Sequence, residues 1–214
     1  MMDNKLLWHR RIRNYAGFLG MILPWLSLIG AVLVNFHSPL GEKFWNDLSI
    51  SATYYVTPAL AGVLTAASIV LMCYDGYDLQ DNIVTTFSGV FGIMIVLFPC
   101  DCSVATDYTG FFQLPVSWSS KVHCTSAVIF FILLAYNSLF LFTKSDGQKT
   151  QKKRLRNNVY VVCGIGMLSA MILMPLPVSF PAKTWWVEMV ALTFFGISWL
   201  VKGGAVRFLN DEEN

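Results

Sequence analysis

Long apolar segments separated by short polar ones dominate the sequence. Each is long enough, at about 17–22 residues, for a helix rising 1.5 Å per residue to cross a hydrocarbon core about 30 Å thick. None alternates strictly between polar and apolar residues, which argues against the strands of a transmembrane barrel. The pattern predicts an all-α fold, a single-domain polytopic bundle of six transmembrane helices. The predicted helices cover approximately residues 15–35, 57–74, 83–99, 122–143, 159–175 and 185–201.

Composition narrows the class of protein. Hydrophobic residues make up 55% of the 214 residues and charged residues only 13%, whereas charged residues form about a quarter of a typical soluble domain. This deficit excludes a disordered chain, a nucleic-acid-binding module and an ordinary cytosolic enzyme. The predicted location is the plasma (cytoplasmic) membrane, with membrane lipids as partners, no nucleic-acid partner and no cofactor.

The positive charges predict the orientation of the six helices. With both termini in the cytoplasm, twelve of the 15 Lys and Arg residues fall inside, as expected when positive residues accumulate in cytoplasmic loops. The most basic connection, residues 144–157, is predicted to be an inner basic loop. At a membrane surface such a loop attracts anionic headgroups, by about 1 kcal/mol per positive residue; setting the topology is an equally good explanation. The loop residues singled out for this role are Lys149, Lys152, Lys153, Arg154 and Arg156.

Polar residues collect at the predicted outer ends of the helices. Glu188 lies one turn inside the sixth segment, and His123 begins the fourth at a similar predicted depth. A charged residue inside a span marks a candidate functional site, because an unpaired charge there is costly. Glu188 could instead reach the membrane interface or join a polar network between helices, and the sequence leaves these interpretations open. The other members of the predicted outer polar cap are Ser51, Thr53, Tyr54, Tyr55 and Asp101.

A serine, a histidine and a carboxylate at one depth also have the composition of a hydrolase site. Ser49 and Ser51, however, lack the glycine pattern of a nucleophile elbow. Membrane hydrolases of the alkaline-ceramidase type use several histidines on zinc, whereas this sequence has three, of which His9 is predicted to be cytoplasmic. No catalytic residue and no metal ligand is therefore predicted.

Three of the five cysteines fall on the predicted outer side. Cys124 is a candidate to form a disulfide with Cys100 or Cys102, which would join the third segment to the fourth. Free thiols are the alternative. The Cys-x-Cys pair has zinc-ligand composition without the usual spacing, so the sequence leaves the disulfide and the free thiols open.

Two shorter patterns concern the helices themselves. In the sequence YDGYDLQDN, Asp78 or Asp81 is predicted to cap the third helix, with a divalent-ion site as the alternative. Small residues spaced four apart, including Gly92 and Gly166, predict close helix packing. That packing would serve either the bundle itself or a homo-oligomer interface.

Several short motifs resemble those of a known group of proteins. Ile50-Ser51-Ala52-Thr53 precedes the second segment, Pro58 stands at its start, and His123 opens the fourth. On these residues the sequence resembles a bacterial family of six-span membrane proteins and is distantly similar to the DRAM-like six-helix proteins of eukaryotic membranes. Tyr54 departs from the DRAM-like pattern, which prefers glycine at that position. The resemblance implies a protein linked to membrane-lipid organisation, with the matched residues in the outer cap.

Three functions are consistent with these observations. The leading expectation is a non-enzymatic membrane protein that binds or organises lipid through the outer polar cap. The alternatives are an oligomeric channel or small transporter with Glu188 lining its path, and a membrane-embedded lipid hydrolase. Ser49 or Ser51 within hydrogen-bond reach of His123, with a carboxylate behind it, would favour the hydrolase. A sealed bundle would argue against the channel.

Overall fold

The computed structural model describes residues 4–145 and 150–211, most of which are helical. Shorter elements are a 3₁₀ turn at Ser51–Tyr55, another at Arg207–Leu209, a π-helical segment at Asn137–Leu141, and a hairpin of β1 (Tyr108–Thr109) with β2 (Leu114–Pro115). The α-helices, in chain order, are α1 (Asn4–His37), α2 (Glu42–Asn46), α3 (Ala59–Met72), α4 (Leu79–Leu97), α5 (Val116–Tyr136), α6 (Gln151–Leu173) and α7 (Lys183–Lys202).

Five helices are long and apolar enough to cross a membrane: α1, α4, α5 with its π-helical extension, α6 and α7. Large apolar side chains on them lie on the outside of the bundle, where Phe18, Ile132 and Ile172 are 55%, 48% and 65% exposed. So much exposed apolar surface is unusual for a soluble monomer and is what a lipid environment covers. The chain is therefore a multi-pass helical membrane protein, as its hydropathy predicts.

The helix α3 is shorter than predicted. It has 14 residues, about 21 Å at 1.5 Å per residue, because the chain before it coils into the 3₁₀ turn. It still connects the two ends of the bundle. Ahead of α3, the backbone N–H of Ile50 donates to Glu188 near the start of α7. Beyond α3, the ring of Tyr74 packs edge-on against Trp199 near the end of α7.

The six longer helices form a ring in which each packs against the next in sequence and α7 closes against α1. Glycines allow the closest approaches. A Cβ added at Gly196 would lie 2.8 Å from the carbonyl oxygen of Gly17, so α1 and α7 nearly touch backbone to backbone. The predicted close packing at Gly92 and Gly166 is confirmed inside the bundle, where they lie against Ser68 of α3 and the Phe194 ring of α7.

The prediction that residues 144–157 form a loop is wrong for residues 151–157, which belong to a helix. The helix α6 begins at Gln151, because the Oγ1 atom of Thr150 caps it by accepting a hydrogen bond from the backbone N–H of Lys153 at 3.0 Å. A capping residue sets this helix end, and hydropathy does not show it. The residues corrected from loop to helix are Lys152, Lys153, Arg154 and Arg156; Lys149 lies outside the described residues.

The predicted cap of α4 is confirmed at Asp78, whose Oδ1 accepts a hydrogen bond from the backbone N–H of Asp81 at 3.0 Å. Lys144 contacts Asp78 at 2.8 Å and the buried Asp81 at 3.0 Å. Its hydrogen bond lowers the pKa of Asp78, and the same bond raises the pKa of Lys144. The pair therefore stabilises the fold at neutral pH, and its contribution is lost as pH falls through the lowered Asp78 pKa or rises through the raised Lys144 pKa.

Candidate functional site

The candidate site begins at the C-terminal end of α4. The carbonyl oxygen of Ile95 would normally accept a hydrogen bond from the residue four positions on, but that residue is Pro99, which has no N–H. His123 of α5 takes this place: its Nδ1 lies 3.1 Å from the Ile95 carbonyl oxygen and 2.9 Å from that of Phe98. One turn earlier on α5, Ser119 donates to the carbonyl oxygen of Pro99 at 2.8 Å. The start of α5 thus caps α4 and fixes the histidine ring.

These contacts determine how His123 meets the rest of the site. Carbonyl oxygens only accept hydrogen bonds, so Nδ1 carries a hydrogen. The other ring nitrogen, Nε2, lies 3.0 Å from the hydroxyl oxygen of Ser51. The imidazole is 3% exposed, and its orientation presents Nε2 to the serine.

Glu188 meets Ser51 from the other side. Its Oε1 accepts a hydrogen bond from the Ser51 hydroxyl at 3.1 Å, and its Oε2 accepts one from the backbone N–H of Ile50 at 2.6 Å. Two backbone hydrogen bonds also join residues 46–48 to the start of α7 at 182–185. The segment before α3 is therefore fastened to α7 beside the carboxylate.

His123, Ser51 and Glu188 form one hydrogen-bonded unit, called here the His–Ser–Glu network. Its two contacts need two hydrogens, and the serine hydroxyl supplies one. A neutral Nε2 and an ionised carboxylate both only accept, so the network holds one further proton, on the histidine or on the carboxyl group. Either placement leaves it without net charge, which avoids an uncompensated charge in a membrane helix. Of the interpretations left open for Glu188, a polar network between helices describes these contacts.

The network faces a cavity of about 580 Å³, called here the polar cavity. Its charged lining residues are Lys43, Asp47, Asp101 and Glu188. Its apolar lining comes from one face each of α5 and α6, through Ala127, Val128, Met171 and Met174. The lining therefore combines charged and polar groups with aliphatic side chains.

The helices α5 and α6 both border the polar cavity. These two helices pack least closely among the neighbouring pairs of the ring. They meet toward the opposite end of the bundle, where Gly164 lies against Leu139. Beside the cavity, Cys124 is exposed and Val128 is 44% exposed. Part of the cavity lining on α5 is therefore exposed at the surface of the bundle.

Four of the seven residues predicted for the outer cap line the polar cavity: Ser51, Asp101, His123 and Glu188. Tyr55 supports it from behind. Its hydroxyl donates to the carbonyl oxygen of Cys100 at 2.7 Å and accepts from Thr109 at 3.0 Å. Burial raises the pKa of Tyr55 to about 12, so the hydroxyl remains a donor at neutral pH.

The structure does not bring Thr53 and Tyr54 to the polar cavity. The Thr53 hydroxyl is fully buried and donates to the carbonyl oxygen of Ile50 at 2.6 Å, within the 3₁₀ turn. Tyr54 packs edge-on against Tyr55, with ring centroids 5.2 Å apart. Conversely, the sequence interpretation missed four lining residues at the short helix α2 and at the apolar end of α6, either in the helix or directly after it. They are Lys43, Asp47, Met171 and Met174.

Of the two alternatives left open for the outer cysteines, the structure has the free thiols and not the disulfide. Cys100, Cys102 and Cys124 are free thiols that line the same cavity. Cys100 is buried in the turn after α4, whereas Cys124 is exposed on α5. Burial raises the pKa of the Cys100 and Cys102 thiols, so both remain protonated at neutral pH. Among the residues that the structure describes, no group of three His, Cys, Asp or Glu side chains could hold a metal ion.

The serine lies within hydrogen-bond reach of the histidine, which is the first condition set for a hydrolase. The second condition, a carboxylate behind the histidine, is not met, because Glu188 contacts Ser51 and not the far side of His123. There the carbonyl oxygens of Ile95 and Phe98 hold the ring. In chemical terms, Nε2 can accept a proton from Ser51, and the network can also serve purely as a structural link between α5 and α7.

No known protein family matches the chain, and no curated protein or solved structure matches it either. Its function therefore has to be argued from the polar cavity and its surroundings.

Proposed function

We propose that the protein binds membrane lipid in the polar cavity without changing it chemically. The observation that carries this proposal is the mixed lining of the cavity. The His–Ser–Glu network lines it together with the apolar side chains Ala127, Val128 and Met171, and Val128 is 44% exposed. This lining suits a lipid whose headgroup meets the network while its acyl chains lie along α5 and α6.

The charged rim indicates the class of headgroup. Lys43 offers an ammonium group, and Asp47 and Asp101 offer carboxylates, all on exposed residues that line the cavity. A headgroup carrying both a phosphate and an ammonium group would find an opposite charge for each. A zwitterionic phospholipid is therefore the expected ligand.

We further propose that the protein lies in the plasma membrane. It crosses the membrane six times, with both termini in the cytoplasm. The distribution of Lys and Arg supports this orientation. Arg10 and Asp211 line one cavity, so both described ends of the chain lie at the same end of the bundle. The polar cavity then faces the outer leaflet. The DRAM-like relationship and a homo-oligomer stay predictions.

Filling the polar cavity should reduce lipid binding. Ala127 lines the cavity on α5, and Ala127→Phe would overpack it by about 1–3 kcal/mol, which corresponds to binding about 5- to 100-fold weaker. The measurement is the amount of phospholipid that co-purifies per protein and resists delipidation, determined by native mass spectrometry.

The matched control is Ile132→Phe on the same helix, at a lipid-facing position that is 48% exposed. It adds a phenyl ring to the surface without entering the cavity, so tightly held lipid should stay at the wild-type level. Equal lipid retention in Ala127→Phe, Ile132→Phe and the wild type would show that the retained lipid only surrounds the bundle. It would contradict binding in the polar cavity.

Lipid hydrolysis is a second candidate function, favoured by the 3.0 Å contact between Ser51 Oγ and His123 Nε2. In this reaction Oγ attacks the carbonyl carbon of an acyl ester while its proton passes to Nε2. The alcohol leaves with that proton, and water then cleaves the acyl-serine. The competing hydrogen bond to Glu188 is why this function ranks second.

An active serine should react with a fluorophosphonate probe. If the hydrolase candidate is correct, the wild-type protein is labelled at Ser51, and Ser51→Ala abolishes the label. Ser120→Ala removes another hydroxyl that lines the same cavity and should leave labelling unchanged. Peptide mapping by mass spectrometry measures the outcome, and an unlabelled Ser51 in lipid-containing nanodiscs would eliminate the hydrolase.

A water-filled path is not part of the proposal. Directly beneath the polar cavity is a void of only about 50 Å³ with a mostly apolar lining that includes Leu23, Phe130 and Leu192. Further along α7, Phe195 and Trp199 are 2% and 1% exposed. In the described structure, these packed side chains separate the polar cavity from the opposite end of the bundle.

A further inference from the structure

A second cavity, of about 330 Å³, lies at the end of the bundle opposite the polar cavity and is called here the basic cavity. Three membrane-spanning helices supply its cations. Among the residues that the structure describes, the lining has five positive side chains against one carboxylate, that of Asp211. The five are Arg10 and Arg13 of α1, Lys153 and Arg156 of α6, and Lys202 of α7.

Two of these cations are compensated by weak partners. The Arg13 guanidinium lies 5.4 Å from the centre of the Tyr74 ring and 3.4 Å from the carbonyl oxygen of Lys202, and its Nε is buried without a hydrogen-bond partner. The Lys202 ammonium lies 4.9 Å and 5.1 Å from the ring centres of Tyr77 and Phe142. Neither Arg13 nor Lys202 forms an ion pair with a residue that the structure describes. Two partly buried cations in one cavity favour an anion between them.

Asp211 shows which kind of group the basic cavity accepts. Its Oδ2 lies 2.7 Å from Nη2 of Arg156, and its Oδ1 accepts a hydrogen bond from Thr150 at 2.7 Å. The Asp211 side chain is 43% exposed, and Asp211 is the last residue that the structure describes. An external anion therefore competes with an exposed side chain for Arg156, while Arg13 and Lys202 lie open to it within the same lining.

We infer that the basic cavity binds a phosphate-bearing anion between Arg13, Arg156 and Lys202. Guanidinium groups bind phosphate oxygens in pairs, and an ammonium group adds a compact positive charge. The cavity volume falls within the range of ligand pockets, about 300–1,000 Å³. The phosphate could belong to an anionic lipid headgroup of the adjacent leaflet or to a soluble phosphorylated compound. The inference is independent of the proposed function, since it uses other residues at the other end of the bundle.

The test compares two double variants of the purified full chain. Arg13→Gln with Lys202→Gln removes two charges from the basic cavity. Arg11→Gln with Arg154→Gln removes two exposed charges outside the lining, one on α1 and one on α6. One arm titrates inorganic pyrophosphate in neutral detergent by calorimetry. The other measures phosphatidylglycerol bound by protein in nanodiscs of phosphatidylcholine and phosphatidylglycerol.

The cavity variant should bind at least one probe about tenfold more weakly, or worse, than the wild type, and the control should stay close to the wild type. Pyrophosphate binding assigns a soluble ligand, and enrichment of phosphatidylglycerol alone assigns a lipid headgroup. Equal losses in both double variants, or no binding of either probe by the wild type, would overturn the inference. Should the cavity variant fail to fold, Asp211→Asn decides: it removes the competing carboxylate, so affinity must rise, and an unchanged affinity counts against the site.

Discussion

Replacing Glu188 with alanine should destabilise the protein by about 3–5 kcal/mol, because hydrogen bonds to a charged group contribute about 1.5–3 kcal/mol each and an abandoned buried donor adds a penalty. The carboxylate accepts from Ser51 and from the backbone N–H of Ile50. Ile50 is 3% exposed, so its N–H would be left buried without an acceptor. The measurement is the free energy of unfolding in mixed micelles with a denaturing detergent.

Glu188→Gln should lose far less, about 1 kcal/mol or under. The amide oxygen still accepts from Ile50, and the amide nitrogen donates to the Ser51 hydroxyl, which in turn donates to Nε2 of His123. This is the hydrogen-bond pattern of a protonated carboxyl group in a network without net charge. Equal losses for Glu188→Gln and Glu188→Ala would contradict that protonation argument.

The surface control for both variants is Glu42→Ala, which removes an exposed carboxylate from the first turn of α2. A surface change of this kind shifts stability by about 0.5 kcal/mol or less. If Glu188→Ala were no more damaging than Glu42→Ala, the His–Ser–Glu network would not hold α7 to the rest of the bundle.

Hydropathy was enough to locate the six long helices, since each predicted segment overlaps one of them. It did not locate their ends. The helix α1 starts at Asn4 and α6 at Gln151, well before the predicted residues 15 and 159, because polar residues continue a helix beyond the apolar part. Capping determines such ends: Thr150 caps α6 through its side chain. Capping signals of this kind are short and compete with many similar ones elsewhere in the sequence.

Predicted depth was enough to place Glu188 and His123 together, but not to put Ser51 between them. That position depends on the 3₁₀ turn fastened to α7 and on the histidine that replaces the hydrogen bond missing at Pro99. The proline four residues after Ile95 was a readable signal of an unpaired carbonyl group. The sequence did not indicate that residues at α2 and α6 line the cavity, because their position there depends on how far α5 and α6 separate. That separation is a property of packing between helices.

Replacing Trp199 with alanine should also cost about 3–5 kcal/mol. The indole is 1% exposed, and its ring centre lies 5.3 Å from that of Tyr74, 5.2 Å from Phe142 and 5.8 Å from Phe195. Within a bundle in lipid, the loss is mainly one of van der Waals contact with these rings. Unfolding in mixed micelles measures it, and Trp8→Ala, at a position that is 60% exposed, is the control expected to have little effect. A similar loss in both variants would contradict the packing argument.

The buried rings of Phe195 and Trp199 are called here the apolar layer. The same variant tests whether this layer only packs the helices together or also forms a barrier between the two cavities. Trp199 lies four residues beyond Phe195 on the same face of α7, about one turn or roughly 6 Å along the helix, so both rings occupy the layer between the two cavities. If the layer is packing alone, proteoliposomes containing Trp199→Ala lose stability but remain impermeable to small ions. If Trp199→Ala conducts while Trp199→Phe, which keeps an aromatic ring, does not, the layer is a closed gate. A channel with Glu188 on its path would then replace lipid binding as the better account of the polar cavity.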